Sequence, residues 1–289
     1  MDNSKLDKSE ICLTEKRVRD SMQRRKKRKL EYKNIMIVGI VLIAIVLIGI
    51  FLMRGKSASK NSNTNQQTQA NSAQRINQTN QTNAKPADFP NVQTSDWDLI
   101  LVNRDHVKSE LNPQLTAIDN IQVDSRIADN VRQFLAAAQE IHPAEHLISG
   151  YRSYATQEQL YNSYIENEMV GGAGAVNSTG QAISKEQAIK NVQTYSQPPG
   201  SSEHMTGLAI DMSDVNSLNM SPPAIAEKVA QIAPQYGFVL RFTDWGAAST
   251  GVDHEDWHFR YVGVDNAKYM TEHKLTLEEY LNLVAKYNK

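Results

Sequence analysis

The stretch "TGVDHEDWHFRYVG", Thr250 to Gly263, contains His254, Glu255, Asp256, Trp257 and His258, an HExxH pattern. On a helix, that spacing puts two histidines on one face as zinc ligands, with the glutamate between them as general base. The flanking residues oppose a helix. Trp257 to Val262 is an aromatic and β-branched run with Gly251 just upstream, which predicts a strand. In an extended chain, His254 and His258 stand about 13 Å apart at about 3.3 Å per residue. Two nitrogens bound to one zinc at about 2.0–2.1 Å lie no more than about 4 Å apart. The helical-protease match is therefore accidental, His258 has to find its partners elsewhere, and the chain reads as strands mixed with helices.

Working outward from this stretch, "DSRIADNVRQFLAAAQE" sets Ile127, Val131, Leu135 and Ala138 on one helical face. "LISGYRSY" (Leu147 to Tyr154) reads as a strand and turn, and Thr156 with Gln159 as a capping box for a helix through Leu160, Tyr164 and Ile165. Residues 168–199 form a long excursion with a short helix from Ser184, a candidate lid or pocket wall. In "SPPAIAEKVAQIAPQYGFVLRF", Ser221 reads as cap and Pro222 as first helical residue, with Ile225, Val229 and Ile232 inward and a strand from Gly237. Leu99 to Val102 reads as a short buried strand, and Thr276 with Glu279 opens a last helix. No internal repeat is found.

The N-terminal third has a different character. Twelve Lys or Arg lie in residues 1–34, followed by nineteen uncharged residues, "IMIVGIVLIAIVLIGIFLM", at 35–53. At about 1.5 Å per residue, such a helix nearly matches a hydrocarbon core of about 30 Å, so 35–53 is expected to be a transmembrane helix. No small-residue cleavage site follows it. The run Arg24 to Lys29 predicts a cytoplasmic N-terminus and an extracytoplasmic remainder. Residues 54–95, rich in Asn, Gln, Ser and Thr, read as a disordered linker. About 40 such residues reach roughly 35 Å. Residues 96–289 are left as the folded domain. A net charge of −1 gives no global reason for a nucleic-acid partner, and the only cysteine, Cys12, leaves the exported part without a disulfide.

In "SSEHMTGLAIDMSD", His204 and Asp211 flank a Thr-Gly turn and a strand-like "LAID". Two histidines and an aspartate suit zinc and leave a fourth position for water. Alone, His204 reads more often as a polar turn residue and Asp211 as a cap or turn former than as a metal ligand. Together, "SGYRSYATQ", "SEHMTGLAID" and "EDWHFRYVG" resemble the motifs of the zinc D-alanyl-D-alanine carboxypeptidase family (VanY and LD-carboxypeptidase type, peptidase family M15B), in family order from about Trp97 onward.

The resemblance implies an α+β fold, a small antiparallel sheet with flanking helices of the Hedgehog/DD-peptidase kind. It implies zinc bound by His204, Asp211 and His258, Glu255 as catalytic base, and Arg152 facing the substrate as carboxylate clamp or oxyanion donor. Tyr151, Gln157 and Ser202 are further candidates for binding peptide backbone, with packing or turn formation an equal alternative. Where the family usually has Glu-Pro-Trp-His and Glu-His-Gln-Thr-Gly, this chain has Asp256 and Met205, so the bend that brings Glu255 and His258 to one side has to form without the proline. The expected activity is removal of C-terminal D-alanine from peptidoglycan stem peptides by a monomer. A wall endopeptidase and an inactive zinc-stabilised binding module are the alternatives. Trp97, Trp245 and Trp257 read as core rather than sugar platforms, and His106, His142, His146 and His273 as exposed or packing residues, with His254 near the metal but not on it.

Overall fold

The computed structural model describes residues 85–170, 183–215 and 221–288. The expected basic segment, the transmembrane helix at 35–53 and most of the linker lie outside them, as do residues 171–182 of the excursion. Among the described residues, no helix is long and apolar enough to cross a membrane.

The chain begins its compact body at Asp88 rather than at Asp96. Phe89 is the reason, since its ring is buried against Tyr269, Tyr280 and Tyr287. One aromatic anchor inside a polar stretch is enough to order the residues around it. Next, Trp97–Leu99 forms a 3-10 turn in place of the expected strand. Its carbonyls are not used in a ladder, because those of Asp98 and Ile100 accept hydrogen bonds from Arg260 Nη2 at 2.9 and 2.8 Å.

Two strands, β1 (Leu115–Ile118) and β2 (Ile121–Asp124), form an antiparallel hairpin. Its two-residue loop, Asp119-Asn120, has Asp119 at φ 49°, as a tight hairpin turn requires. Helix α1 (Ala128–Ile141) follows, with Val131, Leu135 and Ala138 buried as the periodicity predicts. Strand β3 (His146–Ser149) leads to α2 (Tyr154–Val170). The cap of α2 is Ser153 rather than Thr156, since the Ser153 hydroxyl accepts the Thr156 N–H at 3.1 Å. α3 (Lys185–Val192) starts at the Ser184 cap and packs on α2 through Tyr161, Tyr164, Ile165, Ala188 and Val192.

β4 (Ala209–Ser213) precedes α4 (Pro223–Ile232), whose cap is Pro222, not Ser221. Pro223 occupies the first turn, where a missing N–H costs nothing. Ser221 instead shares a hydrogen bond with the Ser213 hydroxyl at 2.9 Å. β5 (Phe238–Leu240), a single turn α5 (Ala247–Thr250), β6 (His258–Tyr261), α6 (Val264–Glu272) and α7 (Leu277–Tyr287) complete the chain. At α7 the expected capping box of Thr276 and Glu279 is present.

The main sheet is antiparallel throughout, in the order β3-β4-β6-β5. One face carries the core, where Ile210 and Phe259 meet Phe134 and Leu135 of α1 and Phe238 of β5. A second core, around Leu99, Val239, Met270, Leu277 and Tyr280, joins α6 and α7 to the sheet's other end. The fold is thus α+β, a small antiparallel sheet with flanking helices. Its two central strands, β4 and β6, carry Asp211 and His258 as directly paired residues.

Candidate metal centre

His258 opens β6, and the preceding residues 251–257 contain no helix. The HExxH stretch is therefore not helical: Asp256 and Trp257 form a bend, and the strand that the aromatic run predicts begins at His258. His204 lies in the 3-10 turn Glu203–Thr206, which ends on Gly207 at φ 70° before the chain enters β4. This turn, β4 and the start of β6 bring three side chains together. His204, Asp211 and His258 each offer one ligand atom, and these atoms lie within 4.8 Å of one another. His254 is not among them.

The distances match a metal's needs. Asp211 Oδ1 stands 3.4 Å from His204 Nε2 and 3.1 Å from His258 Nδ1. Donors at about 2.0–2.2 Å from a tetrahedral zinc are themselves about 3.4 Å apart. Asp211 Oδ1 is also buried without a hydrogen bond of acceptable geometry. Leaving a carboxylate oxygen so placed is costly unless a cation takes it up. The donor set and its spacing fit zinc.

Each imidazole is oriented by its other nitrogen. His204 Nδ1 donates to the Gly150 carbonyl at 2.7 Å, which leaves Nε2 free to ligate. His258 turns the other way, with Nε2 3.2 Å from Glu203 Oε2 and Nδ1 towards the centre. Glu203 Oε1 in turn accepts from Arg241 Nε at 2.8 Å and Arg260 Nη1 at 3.1 Å, and Arg241 Nη2 reaches Glu278 Oε1 at 2.7 Å. Sequence reasoning missed this buried ionic cluster.

Charge accounts for the electrostatics. Burial opposes ionisation of Asp211, but His204 and His258 outweigh it and hold the carboxyl far below its usual range. Burial opposes a charge on Glu203 too, and Arg241 and Arg260 overcome it. For His204, burial and the Arg152 charge push the imidazole down. For His258, burial is overcome by the adjacent carboxylates of Asp211 and Glu203, which raise it to about 9. The site favours a cation at this point, whether proton or metal.

Glu255 is buried, and its Oε2 lies 4.0 Å from His258 Nδ1, so the bend at Asp256 and Trp257 does form without a proline. The Glu255 N–H donates to Phe242 O at 3.0 Å, and Trp257 O accepts from Met212 N at 3.0 Å, which pins both ends of the bend. Arg152 adjoins His204, its backbone N–H donating to His204 O at 3.2 Å, and its Nε is buried without a partner.

The three candidate peptide contacts already have duties inside the protein. Gln157 is buried and its Nε2 donates to Gln197 O at 2.6 Å, bracing the return of the excursion. Tyr151 donates its hydroxyl to Glu110 Oε1 at 2.9 Å, and Ser202 is buried at the start of the His204 turn. Trp257 is buried, but Trp97 and Trp245 are 40% and 50% exposed, contrary to the expected core placement. Trp97 is no sugar platform either: Tyr261 stacks on its ring, and the Arg126 guanidinium sits 3.9 Å from the ring centroid.

Comparison with known proteins follows the same motifs. The family model "VanY: D-alanyl-D-alanine carboxypeptidase" matches residues 120–264, which is 145 of the 289 residues. A D-alanyl-D-alanine carboxypeptidase of Enterococcus faecalis is 28% identical over 65% of this chain, which spans 66% of that relative's length. A solved structure of VanYB in complex with D-alanine-D-alanine is 28% identical with a TM-score of 0.56, covering 65% of this chain and 98% of that one. A variant of the D,D-pentapeptidase VanY from a VanB-type cassette, solved in complex with Zn(II), is likewise 28% identical with a TM-score of 0.55, covering 65% and 100%. Since the match spans β2, the whole main sheet and every residue of the donor set, this chain belongs to the VanY family of zinc-dependent D-alanyl-D-alanine carboxypeptidases.

Proposed function

We propose that this chain removes the C-terminal D-alanine from peptidoglycan stem peptides, with zinc held by His204, Asp211 and His258. The observation that carries the reading is the triangle of donors within 4.8 Å, with the Glu255 carboxylate 4.0 Å from one of them. Zinc in such a site supplies a Lewis acid for the scissile carbonyl and lowers the pKa of water to about 7. Glu255 takes the proton of the attacking water and passes it to the leaving amine. Arg152, with a buried donor to spare beside His204, binds the terminal carboxylate in a charge-assisted pair or meets the oxyanion.

Specificity for the residue before the terminal D-alanine falls to the excursion. Its returning part is tied to the loop that leads into Glu255: Asp253 N donates to Thr194 O at 2.9 Å, and Arg104 bridges Gln193 O and Gly251 O. That wall would decide between stems ending in D-alanyl-D-alanine and tetrapeptide stems. In the same reading the enzyme is a monomer anchored by residues 35–53, basic flank inside and catalytic domain outside, and the linker gives it reach towards the wall.

Incubating the intact chain with defined pentapeptide and tetrapeptide muropeptides, and weighing the products, tests this. Loss of one terminal D-alanine is expected, abolished by chelation and sharply reduced by amidation of the terminal carboxylate or by Arg152→Ala. Cuts at interior bonds, or equal cleavage of amidated and free peptides, would show an endopeptidase instead. Protease accessibility of the C-terminal domain on intact cells tests the topology.

A further inference from the structure

We propose that Glu203 is a positioning residue that selects which nitrogen of His258 faces the metal, an inference that rests on the metal-centre reading. The two histidines present opposite nitrogens, Nε2 from His204 and Nδ1 from His258. For His204, a backbone carbonyl, Gly150 O, makes the choice. For His258, a side chain makes it: Glu203 Oε2 lies 3.2 Å from Nε2, so with a metal bound that nitrogen would keep its proton and Nδ1, which faces Asp211, would be the donor.

Glu203 has little freedom to do otherwise. Its other oxygen receives Arg241 Nε and Arg260 Nη1, and all three side chains are buried. Arg260 is anchored by the carbonyls of Asp98, Ile100 and Tyr261, and Arg241 by Glu278 at the start of α7. Segments far apart in the chain thus converge on one carboxylate, whose single outlet towards the centre is the imidazole of His258. Glu203 immediately precedes a ligand, His204, so the same 3-10 turn places one donor directly and orients another.

The test uses the intact chain, zinc, and the variants Glu203→Gln and Glu203→Ala, with zinc affinity from chelator competition and the imidazole nitrogens observed by 15N NMR. Loss of such an outer partner weakens metal binding by about 10- to 100-fold. The expected result is about tenfold for Glu203→Gln, which keeps shape and an acceptor, and more for Glu203→Ala. In Glu203→Ala, and to a smaller degree in Glu203→Gln, the His258 signals should lose the pattern of protonated Nε2 and zinc-bound Nδ1 while His204 keeps its zinc-bound Nε2. The His204 signals separate positioning from folding: equal loss at both histidines marks a purely structural role and overturns the inference. Wild-type affinity in Glu203→Gln with unchanged His258 signals overturns it too, as does zinc on His258 Nε2 in the unaltered chain. Failure of the unaltered chain to take up zinc instead overturns the metal-centre reading beneath it.

Discussion

Replacing Gly207 by alanine tests whether the turn that carries His204 is as constrained as it looks. Gly207 has φ 70°, and a Cβ there would lie 2.8 Å from the backbone nitrogen of Asp124 and 3.3 Å from its Cα. The left-handed conformation costs an L-residue about 1–2 kcal/mol. Forcing Cβ against backbone adds about 1–3 kcal/mol, because Asp124 N is itself held to Gly207 O at 2.9 Å and cannot withdraw cheaply. A lower unfolded-state entropy returns about 0.4–1 kcal/mol. The net is about 2–4 kcal/mol, or a fall in melting temperature of roughly 5–15 °C for a body of this size. Zinc affinity should fall as well, since the Gly207 N–H donates to His204 O at 3.1 Å and a shifted turn moves that ligand. Thermal melts followed by circular dichroism, with and without zinc, read both effects. A melting temperature within about 1 °C of wild type, with unaltered zinc uptake, would refute the reasoning.

Glu255→Gln should keep its zinc and lose about 10²- to 10⁴-fold in turnover, since a proton carrier is removed and not a donor; metal analysis beside muropeptide kinetics checks it. His254→Ala should retain zinc near the wild-type level and His258→Ala should not, because only the second imidazole belongs to the donor set; a zinc-free His254→Ala beside a zinc-loaded His204→Ala would restore the helical HExxH reading. Burial, reinforced by Asp214 and Asp256, raises Glu145 to about 7, so the folded state holds a proton that the unfolded chain has released, and stability declines as pH rises through that window. Glu145→Gln should therefore melt higher than wild type at pH 8, with the gap closing at pH 5. An equal difference at both values would exclude this carboxyl as the cause.

What could be read from the sequence is what periodicity and caps encode. Val131, Leu135 and Ala138 declare α1, and Thr276 with Glu279 declares the start of α7, because each is a local pattern that tertiary contacts merely complete. The donors were legible for another reason: a histidine, an aspartate and a second histidine stand in motifs whose order is shared with a family. Leu99 to Val102 is apolar enough for a strand, yet a guanidinium from far along the chain takes the carbonyls of Asp98 and Ile100. Two consecutive prolines made the start of α4 ambiguous by one residue, and Asp119-Asn120, a turn signal, went unread. Arg260 and Arg241 could not be foreseen, since charged residues normally stay in water and only the folded arrangement shows Glu203 and Glu278 beside them.

The pairing of Asp211 with His258 across β4 and β6 has a consequence for how the chain finds its fold. Side chains alternate faces along a strand, so a slip of one residue between these strands would send one of the two donors to the opposite face. Correct alignment and a complete donor set are then a single event. A cation that needs both side chains would reward the native alignment and give nothing to its nearest competitor, so metal binding would favour correct strand register as well as serve the finished site.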